Sequence, residues 1–333
     1  MISTMKNELT TPLRCLLASA LTLCAMVAAA QTAPPFPSKP VRIIVPATAG
    51  DGSDILARTV GQELASLLGQ SVLIENRPGA GGSVAADAVA KATPDGYTLM
   101  LANGSSHGVT PSLYPRLPYD SIRDFATVTL IGTAPNALVV SSTLPVNTFA
   151  EFVTYVRARP GRLNIASAGN GSLSHLAGEW LKSASKLDMV HVPYRGATPA
   201  LTDLTSGQVA AMVINIPTIQ PLLRAGKLKV LATSGARRAG SLPDAPTLAE
   251  SGLTGYESLA WFGLIAPAKT PPEVINRLAT DAQRAIAAPA VRERLAAFGA
   301  DPVGSSPAEF GSFMRSEIAK YAKIIRDANV RID

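Results

Sequence analysis

The stretch VRIIVPATAGDGSDILARTVGQELASLLG (41–69) contains the structural unit from which the fold is built. It opens with a short apolar strand and continues through a turn of small and polar residues into a helix predicted over 54–68. The apolar positions of that helix recur at steps of three and four: Leu56, Val60, Leu64 and Leu67. Ser53 or Asp54 can cap its start, and Gly69 can end it.

The same unit repeats along the chain. Strands SVLIEN (71–76) and YTLMLAN (97–103) flank a helix that opens at Gly79 and continues through Ala92. After an extended stretch at 127–141, a second series alternates further elements: strands at 163–166, 189–194, 209–215 and 227–234, and helices at 148–158, 172–184, 197–206 and 218–225. This alternation indicates parallel sheets with helices on both faces.

The chain ends with one more strand and three helices. A strand-like stretch at 258–267 precedes the predicted helices: 272–287, 290–297 and 306–329. We therefore expect an α/β fold of two lobes. The second lobe would be inserted into the first, entered near 132–138 and left near 255–260.

The N-terminus has the features of an export signal. Positive charge precedes an apolar run that starts at Cys15 and ends in AAA (28–30). This pattern is typical of a secretory signal peptide, so residues 1–30 are predicted to be removed by cleavage near Ala30. A buried N-terminal helix is the alternative. Both cysteines of the chain, Cys15 and Cys24, lie in this segment, so the mature chain is expected to form no disulfide.

Charge in this chain is mild and scattered. The 30 Lys and Arg residues against 24 Asp and Glu residues give a net charge of +6. No run of basic residues occurs, and only 5% of the residues are aromatic, which argues against a nucleic-acid partner. No second apolar stretch approaches the length of a membrane span, about 20 residues, so the mature protein is expected to be soluble.

Three strands are followed by turns rich in small polar residues: PATAGDGSD (46–54), NGSSH (103–107) and ASAGNGSLSH (166–175). A helix follows the first and third turns, and its free main-chain N–H groups and dipole can hold an anion. Ligands of open α/β sheets lie outside the carboxyl ends of the strands. Two such turns across a cleft could hold a carboxylate, although each can also be an ordinary capped turn. Arg195, after another strand, is either a surface cation or a cleft residue.

Enzyme motifs are weak in this chain. GSSHG (104–108) matches the G-x-S-x-G pattern of serine hydrolases, but that nucleophile needs a helix after it, and Pro111 and Pro115 predict none. A hydrolase that uses Ser106 is kept as the alternative. Neither glycine-rich turn completes a dinucleotide fingerprint, and the three histidines are not at metal-ligand spacing. No cofactor or metal is therefore expected.

Several longer segments resemble the receptor proteins of tripartite tricarboxylate transporters, the Bug-type solute receptors. The matching segments follow one order from Phe36 toward the C-terminus: FPSKPVRIIVP (36–46), ENRPGAGGSVAADAVAKATPDGYTL (75–99), LPYDSIRDF (117–125), SAGNGSLSHLAGE (167–179), HVPYRGATPALTDLTSGQV (191–209), LPDAPTLAESG (242–252), WFGLIAPAKTP (261–271) and RLAAFGADPVGSSPAEF (294–310). The resemblance implies a periplasmic protein with a two-lobed, type II-like binding-protein fold and two hinge-crossing segments. It implies a first lobe at 32–132 plus 258–333 and a second lobe at 133–257.

The resemblance also implies a small organic acid or amino-acid-like ligand, held by loop backbone and ordered water. It further implies that the ligand is delivered to the large and small permease subunits of the inner membrane and that the protein catalyses no reaction. We expect the protein to be a monomer. A sensory co-receptor would bind its ligand in the same way. Positions that match the family's cleft residues are Ala47, Thr48, Gly50, Ser53, Ala168, Gly169, Gly171, Ser172 and His175. Nearby candidates at the same strand ends are Ala49, Asp51, Asp54, Asn103, Ser105, Arg195 and Asn215.

Two residues of the first turn depart from the family's pattern, P-F-x-x-G-G-x-[ST]-D. Ala47 replaces the aromatic residue, which opens space for a bulkier or aromatic acid, and Asp51 replaces the second glycine. An uncompensated Asp51 carboxylate would repel a carboxylate ligand. We therefore expect Asp51 to point to solvent or to pair with an amine or hydroxyl on the ligand. The second case predicts a ligand with a donor group as well as an acid, or one of low net charge.

Overall fold

A computed structural model describes residues 36–332 of the chain. The described residues from Lys39 onward form one compact unit. The predicted signal peptide, residues 1–30, lies outside the described residues. None of the helices within 36–332 combines the length and the hydropathy that a bilayer crossing requires.

Strands and helices alternate along most of the chain. The strands are β1 (Val41–Val45), β2 (Val72–Asn76), β3 (Thr98–Asn103), β4 (Phe125–Ser141), β5 (Asn164–Ser167), β6 (Val190–Pro193), β7 (Ala211–Asn215), β8 (Leu228–Thr233), β9 (Leu259–Pro267) and β10 (Asp301–Pro302). The helices are α1 (Gly52–Leu68), α2 (Ser83–Ala90), α3 (Thr110–Leu113), α4 (Phe149–Arg157), α5 (Leu173–Ser185), α6 (Ala197–Thr205), α7 (Ile216–Arg224), α8 (Pro272–Ala287), α9 (Pro289–Ala297) and α10 (Pro307–Asp327). A 3₁₀ turn at Ala80–Gly82 precedes α2, and a π-helical segment at Gly104–Val109 precedes α3.

The strands form one curled sheet with two sections. Its order is β2-β1-β3-β9-β4-β7-β5-β6, with β8 and β10 also paired to β4. The first section has β1 parallel to β2 and β3, followed by β9 antiparallel to β3. The second section has β5 parallel to β6 and β7. The expected parallel pairing therefore holds among β1, β2 and β3 and among β5, β6 and β7, whereas the pairings of β4 and β9 are antiparallel.

The long strand β4 passes from the first section to the second. Its residues Phe125–Pro135 pair with β9, and its residues from Asn136 onward pair with β7 and β8. At this junction the Asn136 side-chain amide donates to the Ser258 carbonyl and hydroxyl, 2.9 Å each. The Asn136 main-chain N–H donates to Ser234 Oγ at 2.9 Å. Because these groups are buried, the hydrogen bonds fix the two chain crossings to each other.

The core of the second section covers both faces of its sheet, as strand geometry requires. Leu138 and Val140 pack with Phe152 on one face, whereas Val139 packs with Leu204 on the other. Successive strand side chains point to opposite faces, so β4 serves both layers of helices. Burial of each such side chain stabilises the fold by about 1.5–3 kcal/mol.

The core of the first section depends on the C-terminal helices. Phe310 and Met314 of α10 pack with Ile44, Met100 and Ile265 of the sheet. The C-terminal helices therefore pack on the strands formed by the first hundred residues of the chain and by β9.

The predicted extended stretch at 127–141 lies within the single strand β4. The expectation of no helix after Asn103 is wrong, because Gly104–Leu113 is helical throughout. Pro111 lies in the first turn of α3, where a proline needs no N–H to donate.

Candidate functional site

A cavity of about 570 Å³ lies between the two sections of the sheet. Eleven of the predicted ligand-binding residues line it: Ala47, Thr48, Asp51, Ser53, Asn103, Ser105, Ala168, Gly169, Ser172, Arg195 and Asn215. Five others do not line it: Ala49, Gly50, Asp54, Gly171 and His175. The three predicted turns therefore converge on one place, because each follows the carboxyl end of a strand.

Asp54 stabilises the first turn through hydrogen bonds made outside the cavity. Its carboxylate accepts hydrogen bonds from Gly50 N at 3.0 Å, Arg58 Nε at 2.9 Å and Asn76 Nδ2 at 3.0 Å. Burial acts to raise the pKa of this carboxyl, but the hydrogen bonds from Arg58, Gly50 and Asn76 outweigh it and lower the pKa. Asp54 is therefore an ionised support of the turn.

Asp51, rather than Ser53 or Asp54, caps α1. Its Oδ1 accepts the Ser53 N–H at 2.8 Å, and its Oδ2 lies 3.3 Å from the Thr218 hydroxyl, whose single hydrogen also faces Asn215 Oδ1 at 2.7 Å. The expectation that Asp51 points to solvent is wrong, since only 8% of the residue is exposed. Thr218 can donate its hydrogen to only one of these acceptors, so the pairing of Asp51 with a donor group on the ligand stays a prediction.

The turn at 166–175 uses most of its donors internally. Gly169 N donates to Ser167 Oγ at 3.1 Å, and Gly171 N donates to His175 Nδ1 at 3.4 Å. Ser172 caps α5 by accepting the His175 N–H at 3.2 Å. His175 is thus a buried support of the turn rather than part of the cavity wall.

The turn after β3 connects to the second section. Asn103 caps the π-helical segment by accepting N–H groups of Ser105 and Ser106 at 3.1 and 3.0 Å. Its amide donates to Ser53 Oγ at 3.0 Å. Ser105 Oγ accepts the Leu173 N–H at 2.9 Å, so a hydroxyl of the first section occupies the first donor of α5.

The proposed nucleophile of a hydrolase does not reach the cavity. Ser106 is fully buried, and its hydroxyl accepts the Asn103 N–H at 3.2 Å. Its other neighbour is His107 Nδ1 at 3.0 Å. Burial lowers the pKa of His107 to about 3, and its ring packs edge-on to Phe125. Ser106 and His107 therefore belong to the core.

Direct contacts across the cavity rim hold the sections together. Thr198 Oγ1 donates to the Ala49 carbonyl at 3.0 Å and lies 3.2 Å from Thr48 Oγ1. On another side of the rim, the Tyr114 hydroxyl donates to the Asn170 carbonyl at 3.1 Å. The structure is therefore in a closed conformation.

Sequence reasoning missed a large part of the cavity wall. The missed residues include Pro78, the glycine loop 79–82, Tyr114, Asn136, Asn170, Tyr194, Ile214, Ala260, Trp261 and Phe262. The glycine loop was visible, but only as an incomplete dinucleotide motif. No local signal identifies Tyr114, because it reaches the cavity through the unexpected helix α3.

The fold brings together two histidines that are far apart in sequence. His175 and His191 stack with ring centroids 4.2 Å apart, and with Glu179 they place three possible ligand atoms within 4.8 Å of one another. Lys182 Nζ already contacts both Glu179 oxygens, at 2.9 and 3.0 Å. His191 Nε2 lies 2.7 Å from Ser167 Oγ. These polar groups thus have protein partners and support the turn at 166–175.

The buried Asp51 carboxyl predicts a pH effect on stability. Burial raises its pKa above the ordinary value of 3.8, despite hydrogen bonds from Ser53 and Thr218. The folded state then binds the proton more tightly than the unfolded state, so this group makes the protein less stable as pH rises through its folded-state pKa. Asp51→Asn keeps a capping oxygen without the charge. The free energy of unfolding of Asp51→Asn in urea, minus that of wild type, should become larger as pH rises from acid to neutral.

Asp54→Asn is the matched control for this prediction. The pKa of Asp54 is lowered, so its contribution is present at neutral pH and lost as pH falls toward and below that pKa. The variant should lose stability relative to wild type at neutral pH and approach it in acid. If the stability difference from wild type changed in the same direction with pH for both variants, the opposite pKa shifts assigned to Asp51 and Asp54 would be contradicted.

Comparison with known proteins identifies the family. The sequence matches the Tripartite tricarboxylate transporter family receptor (TctC) over residues 56–330. This chain belongs to that family. It is 35% identical over 307 residues to Protein BugT of Bordetella pertussis, covering 92% of this chain and 94% of BugT. As a TctC-family protein it is a solute receptor and not an enzyme.

Solved structures show the same fold. An R. palustris protein solved with adipate has 36% identity and a TM-score of 0.87, covering 89% of this chain and 99% of that one. The periplasmic binding protein BugD has 32% identity and a TM-score of 0.85, covering 89% of this chain and 99% of that one. The expected α/β, two-lobed binding-protein fold of this TctC-family receptor is therefore confirmed.

Proposed function

We propose that this receptor is exported to the periplasm, holds a small carboxylate-bearing molecule in the cavity between its sheet sections, and delivers it to the permease subunits of a tripartite tricarboxylate transporter. The observation that carries the proposal is the convergence of three polar turns on one closed cavity of about 570 Å³. The adipate-bound relative supports an acid as ligand. The sequence features of residues 1–30 support export through a cleaved signal peptide.

We assign the lobes to 32–132 plus 258–333 and to 133–257. Support for these boundaries comes from β4, which changes partner from β9 to β7 between Pro135 and Asn136. The second crossing lies beside it, where Ser258 N donates to the Ser234 carbonyl at 3.1 Å. Bending at these two adjacent crossings would open the cavity without disturbing either core.

The cavity offers a small set of donors to a carboxylate. Thr48, Asn170 and Ser174 line it, and their main-chain N–H groups have no hydrogen-bond partner among residues 36–332. The Ser53 hydroxyl accepts from Asn103 and hydrogen-bonds to the Asp51 carboxylate, so it is already occupied within the protein. Arg195 lines the cavity, is exposed and makes no ion pair within the described chain. It supplies the positive charge that attracts an anion.

These groups can account for reversible binding. Micromolar affinity corresponds to about −8 kcal/mol, which a few oriented donors and an apolar wall can provide in a cavity of this size. The ligand stabilises the closed form only by binding it better than the open form. Release to the permease then requires only reopening.

Calorimetry on the mature protein, freed of bound ligand by unfolding and refolding, tests the proposal. Titration with hexanoate, benzoate, adipate and terephthalate should give saturable heat for at least one of these acids. Arg195→Gln should weaken that binding severalfold and reduce its dependence on salt, because a charge at the rim acts over the screening length of about 10 Å. No binding to any of the four acids would reject the proposed ligand class.

A further inference from the structure

We infer that this receptor selects monocarboxylates with a bulky apolar body over dicarboxylates, because Asp51 already places one carboxylate at the helix N-termini of its own binding cavity. The inference rests on the proposed function of that cavity. It names the class of acid that the cavity accepts.

Asp51 lies where the N-termini of α1 and α7 meet. Its Oδ1 caps α1 through Ser53 N, and its Oδ2 lies 3.3 Å from the Thr218 hydroxyl in the first turn of α7, whose N-cap is Asn215. Gly52 N in turn donates to Thr218 Oγ1 at 2.8 Å. The N-terminus of each helix carries a positive partial charge of about half an elementary charge. The protein therefore places its own buried carboxylate between the two helix ends, where it caps α1 directly.

The rest of the cavity lining has a positive charge for only one ligand carboxylate. Among the residues that line the cavity, Arg195 is the cationic side chain and Asp51 the anionic one. Arg195 and the main-chain N–H groups of Asn170 and Ser174 are among the donors that the lining offers to a ligand carboxylate. A second ligand carboxylate would be desolvated without a counter-ion and would face the Asp51 charge, which makes its burial costly.

Apolar surface occupies much of the rest of the wall. Trp261, Phe262, Leu173 and Ile214 line the cavity, and Ala47 leaves the space that a larger side chain would fill. The volume of about 570 Å³ lies within the range of pockets that hold drug-sized molecules, about 300–1,000 Å³. An acid with an aliphatic chain or an aromatic ring can therefore fill this space and displace water from these side chains.

Matched pairs of acids test the inference by calorimetry. Hexanoate and adipate share a chain length and differ by one carboxylate, as do benzoate and terephthalate on a ring. In the wild-type protein we expect each monocarboxylate to bind at least tenfold more tightly than its dicarboxylate partner. Asp51→Asn keeps the cap without the charge and should lower this ratio at least fivefold by strengthening dicarboxylate binding.

The controls separate charge from folding. Asp51→Ser also offers a capping oxygen and should change the ratio in the same direction, so a folding defect in one variant leaves the other to report. Asp327→Asn removes an exposed charge of α10, 60% exposed, and should leave the ratio unchanged. Adipate binding as tightly as hexanoate to the wild type, or an unchanged ratio in the Asp51 variants, would overturn the inference while leaving acid binding intact. Binding of none of the four acids would reject the proposed function and this inference together.

Discussion

Gly171→Ala is expected to weaken ligand binding at least tenfold, a loss of about 1.4 kcal/mol, while the protein stays folded. Gly171 lies in the second section, and a Cβ there would overlap the ring of Tyr114 from the first section, reaching 3.0 Å from its hydroxyl oxygen and 3.1 Å from Cζ. The closed conformation then requires the ring to move and the bond from Tyr114 to Asn170 to break. An opened cavity avoids the clash, so the substitution penalises closure. Calorimetry with the best-binding acid measures the loss.

Gly226→Ala controls for the backbone penalty of this substitution. Gly171 has φ +77° and Gly226 has φ +65°, but a Cβ at Gly226 meets nothing within 4 Å. Both variants are destabilised by about 1–2 kcal/mol, because alanine disfavours the left-handed conformation. Only Gly171→Ala also obstructs closure of the cavity. Tyr114→Ala added to Gly171→Ala should recover part of the affinity, as a double-mutant cycle would show. Equal affinities for Gly171→Ala and Gly226→Ala would refute the closure argument.

Gly263→Ala is expected to give the largest loss of stability, about 3 kcal/mol in urea unfolding, at the upper end of overpacking effects. Gly263 lies in β9, directly beneath the ring of Phe310, and an added Cβ would reach 2.6 Å from Cε1 and 2.8 Å from Cε2. Phe310 is fully buried and packs edge-on against Trp261, with centroids 5.9 Å apart. The ring therefore has no free space into which it can move.

Two further variants distinguish this clash from a general intolerance of alanine. Gly240→Ala places a Cβ in open space and should change the free energy of unfolding by less than about 0.5 kcal/mol. Phe310→Leu combined with Gly263→Ala should be less destabilising than the sum of the single changes, because the smaller side chain leaves room for the Cβ. Strict additivity would show that the two residues do not collide.

Local sequence signals predicted the helices and strands well where short-range contacts decide them. The helix predicted over 272–287 has those bounds, and Gly69 ends α1 in a left-handed conformation. The start of α1 was predicted slightly late, because Ser53 and Asp54 were favoured as caps over Asp51. All three side chains can cap a helix, and only the path of the chain into the turn selects one of them.

Long-range pairing was harder to predict. The sequence predicts one extended stretch at 127–141, but it does not show that the two halves of β4 pair with different partners. Its neighbour β9 lies more than a hundred residues away in sequence, and no local pattern encodes antiparallel register at that separation. The helical segment Gly104–Leu113 was missed for a related reason, since its prolines were judged as breakers without knowing that Pro111 lies in a first turn.

The sequence alone determined that polar turns end at helix N-termini after the strands, because caps and turns depend on residues within four positions of one another. It also identified the family through the order of those segments. Only the tertiary structure decided which donors remain for a ligand. Gly52 N is bound by Thr218 and Leu173 N by Ser105, partners separated by 166 and 68 residues. A hydrogen-bond donor is free or occupied according to what the fold brings within 3 Å of it, and that depends on contacts between residues far apart in the chain.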